Sequence, residues 1–339
     1  MSRAVYHLVG DVHGHAVQLR DLLMALGYTR PDPATDPACW EPPDGATLVS
    51  VGDLVDRGLD SLGALEIVVR LAREGRALMV LGNHDVKMIG LLCAQLGLGP
   101  EPRLGPGRLM TWVELLGETE ARKRELLELL ERVPRYLELD EGRLVVTHAR
   151  WSPSFRRLDG EALIQACAFG RVDGDPAEGS SGEDVPDGVS GEAYLEISRG
   201  EPLPARARWV RGYRGRALVV WGHQHVRRDA VVRVGNTVNI ESGCFLGHAL
   251  SAYVYPEGRV VQVRGSHHWK SRIAPYAVAG GLVFPRSLDE VRRTLEDNGL
   301  TSVEDYLAWI ELILEACGAP GLVPELVATH RRIHARAVA

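Results

Sequence analysis

Five short polar motifs contain the residue types that bind divalent metal ions in proteins. They are GDVHG at 10–14, GDLVDRG at 52–58, GNHD at 82–85, THAR at 147–150 and GHQHV at 222–226. Mixed carboxylate, imidazole and amide ligands suit ions such as Mn²⁺, Fe²⁺ and Zn²⁺. Asp11 and His13 lie two residues apart, so both side chains point to one side of an extended chain. The candidate metal ligands are Asp11, His13, Asp53, Asn83, His148, His223 and His225.

These candidates are sufficient for two ions that share one carboxylate. The predicted division gives one ion the ligands Asp11, His13 and His225, and the other ion the ligands Asn83, His148 and His223. Asp53 is then the bridging ligand. A metal-bound water ionises near neutral pH and attacks phosphorus in line, while both ions neutralise the phosphate oxygens. The pattern therefore predicts hydrolysis of a phosphate ester or anhydride.

Three residues next to the predicted ligands are candidates for catalysis. His84 follows Asn83 and can supply a proton to the leaving group. Asp56 can hold the tautomer and orientation of that imidazole. Arg57 can bind the non-bridging phosphate oxygens through its two-pronged guanidinium group.

The polar motifs follow short apolar runs that read as buried strands. The runs cover 5–9, 47–51, 77–81, 144–146 and 217–221, and helical patterns at 16–26 and 61–74 lie between the early runs. A continuous apolar run bounded by glycine is typical of a strand buried on both faces. Alternating strands and helices predict an α/β core. Ligands bind at the carboxyl ends of the strands in such folds, and every polar motif lies at such an end.

The sequence predicts a catalytic domain at 1–270 and a helical C-terminal extension at 271–339. Within the first domain, residues 92–135 have a helical pattern and are predicted to form a cap. Residues 170–192 are rich in Gly, Asp, Glu and Ser, which predicts a long mobile loop.

Composition indicates an ordinary globular protein with an acidic balance. The chain has 339 residues, a formal charge of −6 and 45% apolar residues. The negative charge argues against binding of long nucleic acid, which requires a basic surface. Five scattered cysteines without a CxxC pair favour a reducing cytoplasm. The apolar runs are too short to span a bilayer, so we expect no membrane segment. A predicted strand begins near the N-terminus, so we expect no signal peptide.

The five motifs, in this order, resemble those of the calcineurin-like metallophosphoesterases. GDLVDRG resembles the phosphoprotein-phosphatase branch, and NTVNIESGCFLGHALSAYVYPE at 236–257 is similar to the phosphatase domain of bacterial polynucleotide kinase-phosphatases and to stand-alone bacterial relatives. The resemblance covers about residues 5–265. It implies two face-to-face mixed β-sheets flanked by helices, with a helical C-terminal appendage. It also implies two divalent metal ions, with Mn²⁺ the first candidate and Fe, Zn or Ni the alternatives.

The sequence departs from the family pattern at three positions. Arg150 stands where the family has glycine after the THA motif, and we expect it to contact substrate phosphate. His225 adds a second histidine to the GH motif, as in wider members of the superfamily. Glu241 replaces an aspartate of the kinase-phosphatase relatives, which keeps a carboxylate but lengthens its reach and leaves its role open.

The predicted function is metal-dependent hydrolysis of phosphomonoesters, with activity on phosphodiesters as a further option. The substrate would be a phosphoprotein, a nucleotide or a nucleic-acid end. One alternative is a hydrolase of dinucleoside polyphosphates such as diadenosine tetraphosphate, and the non-enzymatic alternative is a metal-bound scaffold.

Two further sets of residues have two interpretations each. A salt-bridged surface or a phosphate funnel would explain the spacing of Arg206, Arg208, Arg211 and Arg214. Core packing or base stacking would explain Trp151 and Tyr213.

Overall fold

The chain folds into an α/β structure in which strands and helices alternate over the first part of the sequence. The computed structural model describes residues 4–31, 38–58, 60–100, 106–172 and 193–265. The strands in these ranges are β1 Val5–Val9, β2 Ala46–Ser50, β3 Ala77–Met79, β4 Tyr136–Leu139, β5 Leu144–Thr147, β6 Tyr194–Glu196, β7 Leu218–Trp221, β8 Val231–Val234, β9 Thr237–Asn239, β10 Ala249–Tyr255 and β11 Arg259–Arg264. The α-helices are α1 Ala16–Ala25, α2 Ser61–Arg73, α3 Asn83–Gln95, α4 Pro106–Leu116, α5 Glu120–Arg132 and α6 Gly160–Phe169. Short 3₁₀ helices cover Asp140–Gly142, Pro153–Arg157 and Ala205–Arg211.

The strands form two mixed sheets. The first sheet has the order β11-β10-β1-β2-β3, and the second has the order β4-β5-β7-β9-β8-β6. β1, β2 and β3 are parallel to one another, as are β5, β7 and β9. Because parallel strands share one direction, their carboxyl ends lie along a single edge of each sheet.

The two sheets pack face to face around a shared apolar core. Leu8 and Val49 enter this core from the first sheet, and Val146 and Val220 enter it from the second. Side chains alternate along a strand, so the neighbouring Val9 points to the opposite face and packs toward the helices. Burial on both faces explains why these strands have continuous apolar sequences rather than alternating ones.

Helices cover the outer faces of both sheets. Leu19 of α1, Leu65 of α2 and Met88 of α3 pack in one cluster on the first sheet. On the second sheet, Val145 of β5 packs against Cys167 of α6. The result is the layered arrangement of helices, sheet, sheet and helices that the family resemblance implied, so the predicted fold class is confirmed.

Two of the predicted segments lie wholly or mainly outside the described residues. These are the C-terminal extension at 271–339 and the loop at 170–192, of which only residues 170–172 are described. In the predicted cap region at 92–135, the described residues contain the end of α3 together with α4 and α5. Among the described helices, none is long and apolar enough to cross a membrane.

Candidate active site

Most of the predicted metal ligands come together where the carboxyl ends of the two sheets meet. Asp11 follows β1, Asp53 follows β2, and Asn83 begins α3 after β3. From the second sheet, His148 follows β5 and His223 follows β7. The two sheets are in direct contact here, since the His223 backbone N–H donates to Asp11 Oδ2 at 2.9 Å.

The chain turns sharply at several of these residues. His13, Asp53, Asp56, Arg57 and His223 have φ values of 47°, 51°, 72°, 71° and 64°. Few residues other than glycine adopt positive φ, because Cβ then crowds the backbone. Strained conformations of this kind persist where surrounding contacts hold them, and they cluster at functional sites.

One group of ligand atoms surrounds a point between the sheets. His148 Nδ1 donates to the Val51 carbonyl at 2.9 Å, which leaves the other ring nitrogen, Nε2, without hydrogen in the neutral form. That Nε2 lies 3.2 Å from His223 Nδ1, 3.2 Å from Asn83 Oδ1 and 3.4 Å from Asp53 Oδ2. Acceptor atoms this close repel one another unless a proton or a cation lies among them. The group is therefore suited to a metal ion.

The Asn83 side chain has two possible orientations in this group. Its oxygen faces His223 Nδ1 at 2.9 Å, which is the orientation that a cation selects. A half-turn of the amide would instead let its nitrogen donate to the ring nitrogens and its oxygen accept from Lys87 Nζ at 2.7 Å. The first arrangement suits the metal-bound site, and the second satisfies the hydrogen bonds without metal.

A second group of ligand atoms lies on the other side of Asp53. Asp11, His13 and Glu241 each present a ligand atom, and these atoms lie within 4.8 Å of one another. Asp11 Oδ1 and Glu241 Oε2 are buried and have no hydrogen-bond partner among the residues that the structure describes. Asp53 Oδ2, which also belongs to the first group, lies 3.6 Å from His13 Nε2. Asp53 thus lies between the groups, where a bridging carboxylate would be needed.

The charges of the two groups fit two divalent cations. Burial, followed by the negative charges of Glu241 and Asp53, raises the pKa of Asp11 well above its ordinary value. Burial also lowers the pKa of His13 and of His223 well below the imidazole value. The two rings are therefore neutral, which is the form that binds metal. Buried carboxylates facing one another are costly unless a cation compensates them.

His225, predicted as a ligand beside Asp11 and His13, contacts this second group through Glu241, and its role as a ligand stays a prediction. Its Nδ1 donates to Glu241 Oε1 at 3.1 Å, and the group within ligand distance of Asp11 and His13 contains Glu241 instead. Glu241 reaches this place because it follows β9, which runs parallel to β7 and ends at the same edge. The sequence carried little signal for this strand, since its two apolar residues, Val238 and Ile240, alternate with Thr237 and Asn239.

Asp85 is a buried carboxylate to which the sequence analysis gave no role. Its Oδ2 accepts from the backbone N–H of Asp53 at 2.8 Å and of Gly82 at 3.0 Å, and its Oδ1 accepts from Leu54 N–H at 3.0 Å. A side chain at Gly82 would collide with the Asp53 carboxylate. The fourth residue of the GNHD motif therefore fixes the loop that carries the bridging aspartate.

The predicted proton-donor pair is in direct contact. His84 Nδ1 donates to Asp56 Oδ2 at 2.6 Å, and Asp56 is fully buried. Burial lowers the pKa of His84 despite the nearby carboxylates. The ring centroids of His84 and His13 lie 4.8 Å apart, so the pair is next to the ligand groups.

Arg57 lies between the pair and an aromatic side chain. Its Nη2 donates to His84 Nε2 at 3.1 Å, and its guanidinium carbon lies 3.8 Å from the centre of the Phe245 ring. The same ring packs edge-on against His13 with centroids 4.8 Å apart. Phe245 was not identified from the sequence, because one aromatic residue after a glycine turn carries no specific signal.

The remaining candidates have separate environments. Arg150 is half-buried two residues after His148, and its contact with phosphate stays a prediction. Trp151 and Tyr213 are 3% and 6% exposed and pack in the apolar cluster outside the second sheet, which is the core-packing alternative. Of the four arginines around residue 210, those at positions 208, 211 and 214 donate to main-chain carbonyl groups.

Comparison with known proteins identifies the family. The sequence profile of the calcineurin-like phosphoesterases matches residues 6–227. The asymmetrical bis(5'-nucleosyl)-tetraphosphatase PrpE of Anoxybacillus flavithermus is 31% identical over 268 residues, which are 76% of this chain and 94% of that protein. The enzyme of the same name from Geobacillus thermodenitrificans is 33% identical over 263 residues, with the same coverage.

A solved protein serine/threonine phosphatase from Saccharomyces cerevisiae is also similar, at 11% identity and a TM-score of 0.44, over 78% of this chain and 80% of that one. The sequence profile alone covers well over half of the chain. The chain therefore belongs to the calcineurin-like phosphoesterase family and is a phosphoester hydrolase.

Proposed function

We propose that this enzyme uses two divalent metal ions to hydrolyse dinucleoside polyphosphates. The observation that carries the two-metal part is the position of Asp53 between two groups of converging ligand atoms. One ion would be held by Asn83, His148 and His223, and the other by Asp11 and His13 with Glu241 or His225. Bound there, the ions would supply a metal-activated hydroxide and neutralise the phosphate oxygens.

Arg57 is proposed to bind the phosphate under attack. Its guanidinium group is half-buried, always charged and stacked on the Phe245 ring. In the described arrangement one of its nitrogens donates to His84. A phosphate group would offer stronger, charged acceptors to the same fork.

His84 is proposed to protonate the leaving group. The hydrogen bond to Asp56 keeps a hydrogen on Nδ1, so Nε2 is the nitrogen that faces the substrate side. Nε2 accepts from Arg57 in the described arrangement and therefore carries no proton. Entry of a phosphate adds negative charge and draws Arg57 away, and both effects favour protonation of Nε2.

The substrate assignment rests on the relatives. Both relatives described above are named as asymmetrical bis(5'-nucleosyl)-tetraphosphatases, and both are at least 30% identical to this chain. The sequence motifs also allow this activity, as the alternative to phosphomonoester hydrolysis. An asymmetrical cleavage would release a nucleoside triphosphate and a nucleoside monophosphate from the tetraphosphate.

Phosphomonoester hydrolysis is the second candidate, and the His84–Asp56 pair favours it. An alkoxide leaving group is strongly basic and needs a proton, whereas a phosphate leaving group is weakly basic and needs little help. A buried donor pair is therefore expected in an enzyme that cleaves esters. Phosphoproteins, nucleotides and nucleic-acid ends remain the proposed ester substrates.

Manganese is the metal that we propose first, with iron, zinc and nickel as alternatives, because mixed carboxylate, imidazole and amide ligands accept all four. The proposed location is the cytoplasm. The described cysteines support it, since Cys39, Cys93, Cys167 and Cys244 form no disulfide.

The test is hydrolysis of three substrates by Mn²⁺-loaded enzyme: diadenosine tetraphosphate, p-nitrophenyl phosphate and bis-p-nitrophenyl phosphate. We expect the highest kcat/KM on diadenosine tetraphosphate, with ATP and AMP as products, and loss of all activity in Asp53→Asn. ADP as sole product would contradict asymmetrical cleavage. A higher kcat/KM on the monoester would select the second candidate.

A further inference from the structure

Helix α4 lies against the loop that carries the proton-donor pair. The Gly107 carbonyl accepts from the Arg57 N–H at 2.6 Å. One turn further, Thr111 contacts Asp56, and after another turn Glu114 accepts from the N–H groups of Ser61 and Leu62 at 3.0 and 2.7 Å. Positions four and seven residues along a helix lie on one face, so a single polar face of α4 holds this loop.

The hydrogen and both lone pairs of the Thr111 hydroxyl are in use, at Asp56 and at Ser61. It donates to Asp56 Oδ1 at 2.8 Å and accepts at 3.1 Å from the Asp56 N–H, which also donates to the Ser61 hydroxyl at 3.0 Å. The Ser61 hydroxyl lies 2.9 Å away and can donate to the remaining lone pair. A hydroxyl has one hydrogen and two lone pairs, and Thr111 is fully buried, so water does not compete for these bonds.

The two oxygens of the Asp56 carboxylate therefore have different and fixed partners. Oδ1 accepts from Thr111, while Oδ2 accepts from His84 Nδ1 at 2.6 Å. Asp56 also has a φ of 72°, an unfavourable conformation for aspartate that requires support from its surroundings. The plane of the carboxylate decides where the His84 ring points, because their hydrogen bond is short and nearly all other freedom is removed by burial.

We propose that Thr111 is a positioning residue for leaving-group protonation, acting through Asp56 on His84. This inference rests on the proposed role of His84 as proton donor. Without the hydroxyl, the Asp56 carboxylate can rotate, and His84 Nε2 no longer stays directed at the leaving-group oxygen. The loss should therefore grow with the basicity of the leaving group and leave metal binding intact.

The same helix offers a matched control. Glu114 is 3% exposed, and within the described part of the chain its hydrogen bonds go to the backbone at the start of α2, so it fastens α4 to the loop without a hydrogen bond to the Asp56 carboxylate. If α4 served only to stabilise the loop, removal of either contact would have the same kinetic result. Thr111→Val retains the shape of threonine and removes its hydroxyl, and Thr111→Ser restores the hydroxyl.

The experiment compares kcat on phenyl phosphate and on p-nitrophenyl phosphate for Mn²⁺-loaded wild type, Thr111→Val, Thr111→Ser, Glu114→Gln and His84→Asn. The first ester has the more basic leaving group. We expect Thr111→Val to lower kcat on phenyl phosphate by about ten- to a hundredfold, the range for losing an outer partner of a positioned group. On p-nitrophenyl phosphate the loss should stay below about threefold, since that leaving group needs little protonation. Thr111→Ser should recover the wild-type ratio, and Glu114→Gln should keep it.

Other results decide against the inference in distinguishable ways. Equal losses on both esters in Thr111→Val would mean a structural role only, and so would the same ratio in Glu114→Gln. If His84→Asn is selective for the basic leaving group and Thr111→Val is not, the inference fails while the proposed role of His84 stands. If His84→Asn is not selective either, the proton-donor role fails, and the inference about Thr111 fails with it.

Discussion

The metal-ligand groups and the proton-donor pair are neighbours, but different parts of the chain hold them. His13 and His148 are oriented by the main-chain carbonyls of Val55 and Val51, which lie in the segment that follows β2. Asp56, in contrast, depends on Thr111, a side chain 55 residues away on a helix. The ligand groups thus follow directly from the sheet topology, whereas the donor pair requires a further element packed on the sheet.

A substitution in the metal-ligand groups should have the largest effect on activity. Asp53→Asn removes the negative charge shared by both groups, so at least one ion is bound poorly. Metal ions contribute several kcal/mol of transition-state stabilisation, and we expect kcat to fall by about a thousandfold or more. Steady-state kinetics on every substrate would measure it. A variant that keeps near wild-type kcat would remove Asp53 from the bridging position.

A substitution in the proton-donor pair should lower activity less, and it should do so selectively for esters with a basic leaving group. His84→Asn should lower kcat on phenyl phosphate by on the order of a hundredfold, the usual contribution of a general acid. We expect metal content to stay unchanged, because the hydrogen bonds of the His84 ring go to Asp56 and Arg57, although the ring also lies within 4.8 Å of ligand atoms of His13 and Asp53. Elemental analysis beside the kinetics checks both points. Loss of metal in this variant would mean that the metal-ligand groups and the proton-donor pair are not separable.

Substitutions of Glu241 and His225 should weaken metal binding to different extents. Glu241→Gln should weaken Mn²⁺ binding by on the order of a hundredfold, because a charged ligand candidate is lost. His225→Gln should weaken it by about tenfold, as expected for a residue that acts through Glu241. Titration of the metal-free variants with Mn²⁺ gives both values. The reverse order would return His225 to the ligand position predicted from the sequence.

The smallest expected effect concerns a buried histidine outside the site. His7 in β1 is 3% exposed, and its Nδ1 has no hydrogen-bond partner among the described residues. Burial, with the charge of Arg259 adding to it, lowers the pKa of His7. The unfolded chain therefore takes up this proton at a higher pH than the folded one does. The contribution of the neutral His7 ring to folding stability is complete above the pKa of the unfolded chain, about 6.5. It is lost progressively as the pH falls from there through the lower pKa of the folded state.

His7→Gln removes this titration. Urea unfolding of metal-free protein between about pH 7 and about pH 5 should show a shallower loss of stability in the variant than in the wild type. An unchanged slope would mean that His7 accepts a proton in the folded state as readily as in the unfolded chain.

Much of the fold and of the ligand groups could be predicted from the sequence, for a physical reason. Strands buried on both faces have continuous apolar sequences, and the polar residues that follow them lie together at the edge where the carboxyl ends of the strands meet. Asp11, Asp53 and His148 are such residues. The predicted strand at 47–51 and the observed β2 at Ala46–Ser50 differ by one residue.

The residues that support the site were harder to find. Glu241 depends on β9 pairing parallel to β7, and this pairing is not encoded in local sequence. Local sequence does not distinguish Thr111 from any other threonine in a helix, because its contact with Asp56 arises only when α4 packs against the loop before α2. Phe245 lies under Arg57 only because the chain after β9 returns to the site. These contacts join distant segments, so neither spacing nor periodicity reveals them.

The most direct test of the central claim is the number and coupling of the bound metal ions. Metal-free protein is equilibrated with Mn²⁺, desalted and examined by elemental analysis and electron paramagnetic resonance. We expect two Mn²⁺ ions per chain with the spectrum of an exchange-coupled pair, and loss of that coupled spectrum in Asp53→Asn. Full activity with a single, uncoupled ion per chain would contradict this expectation.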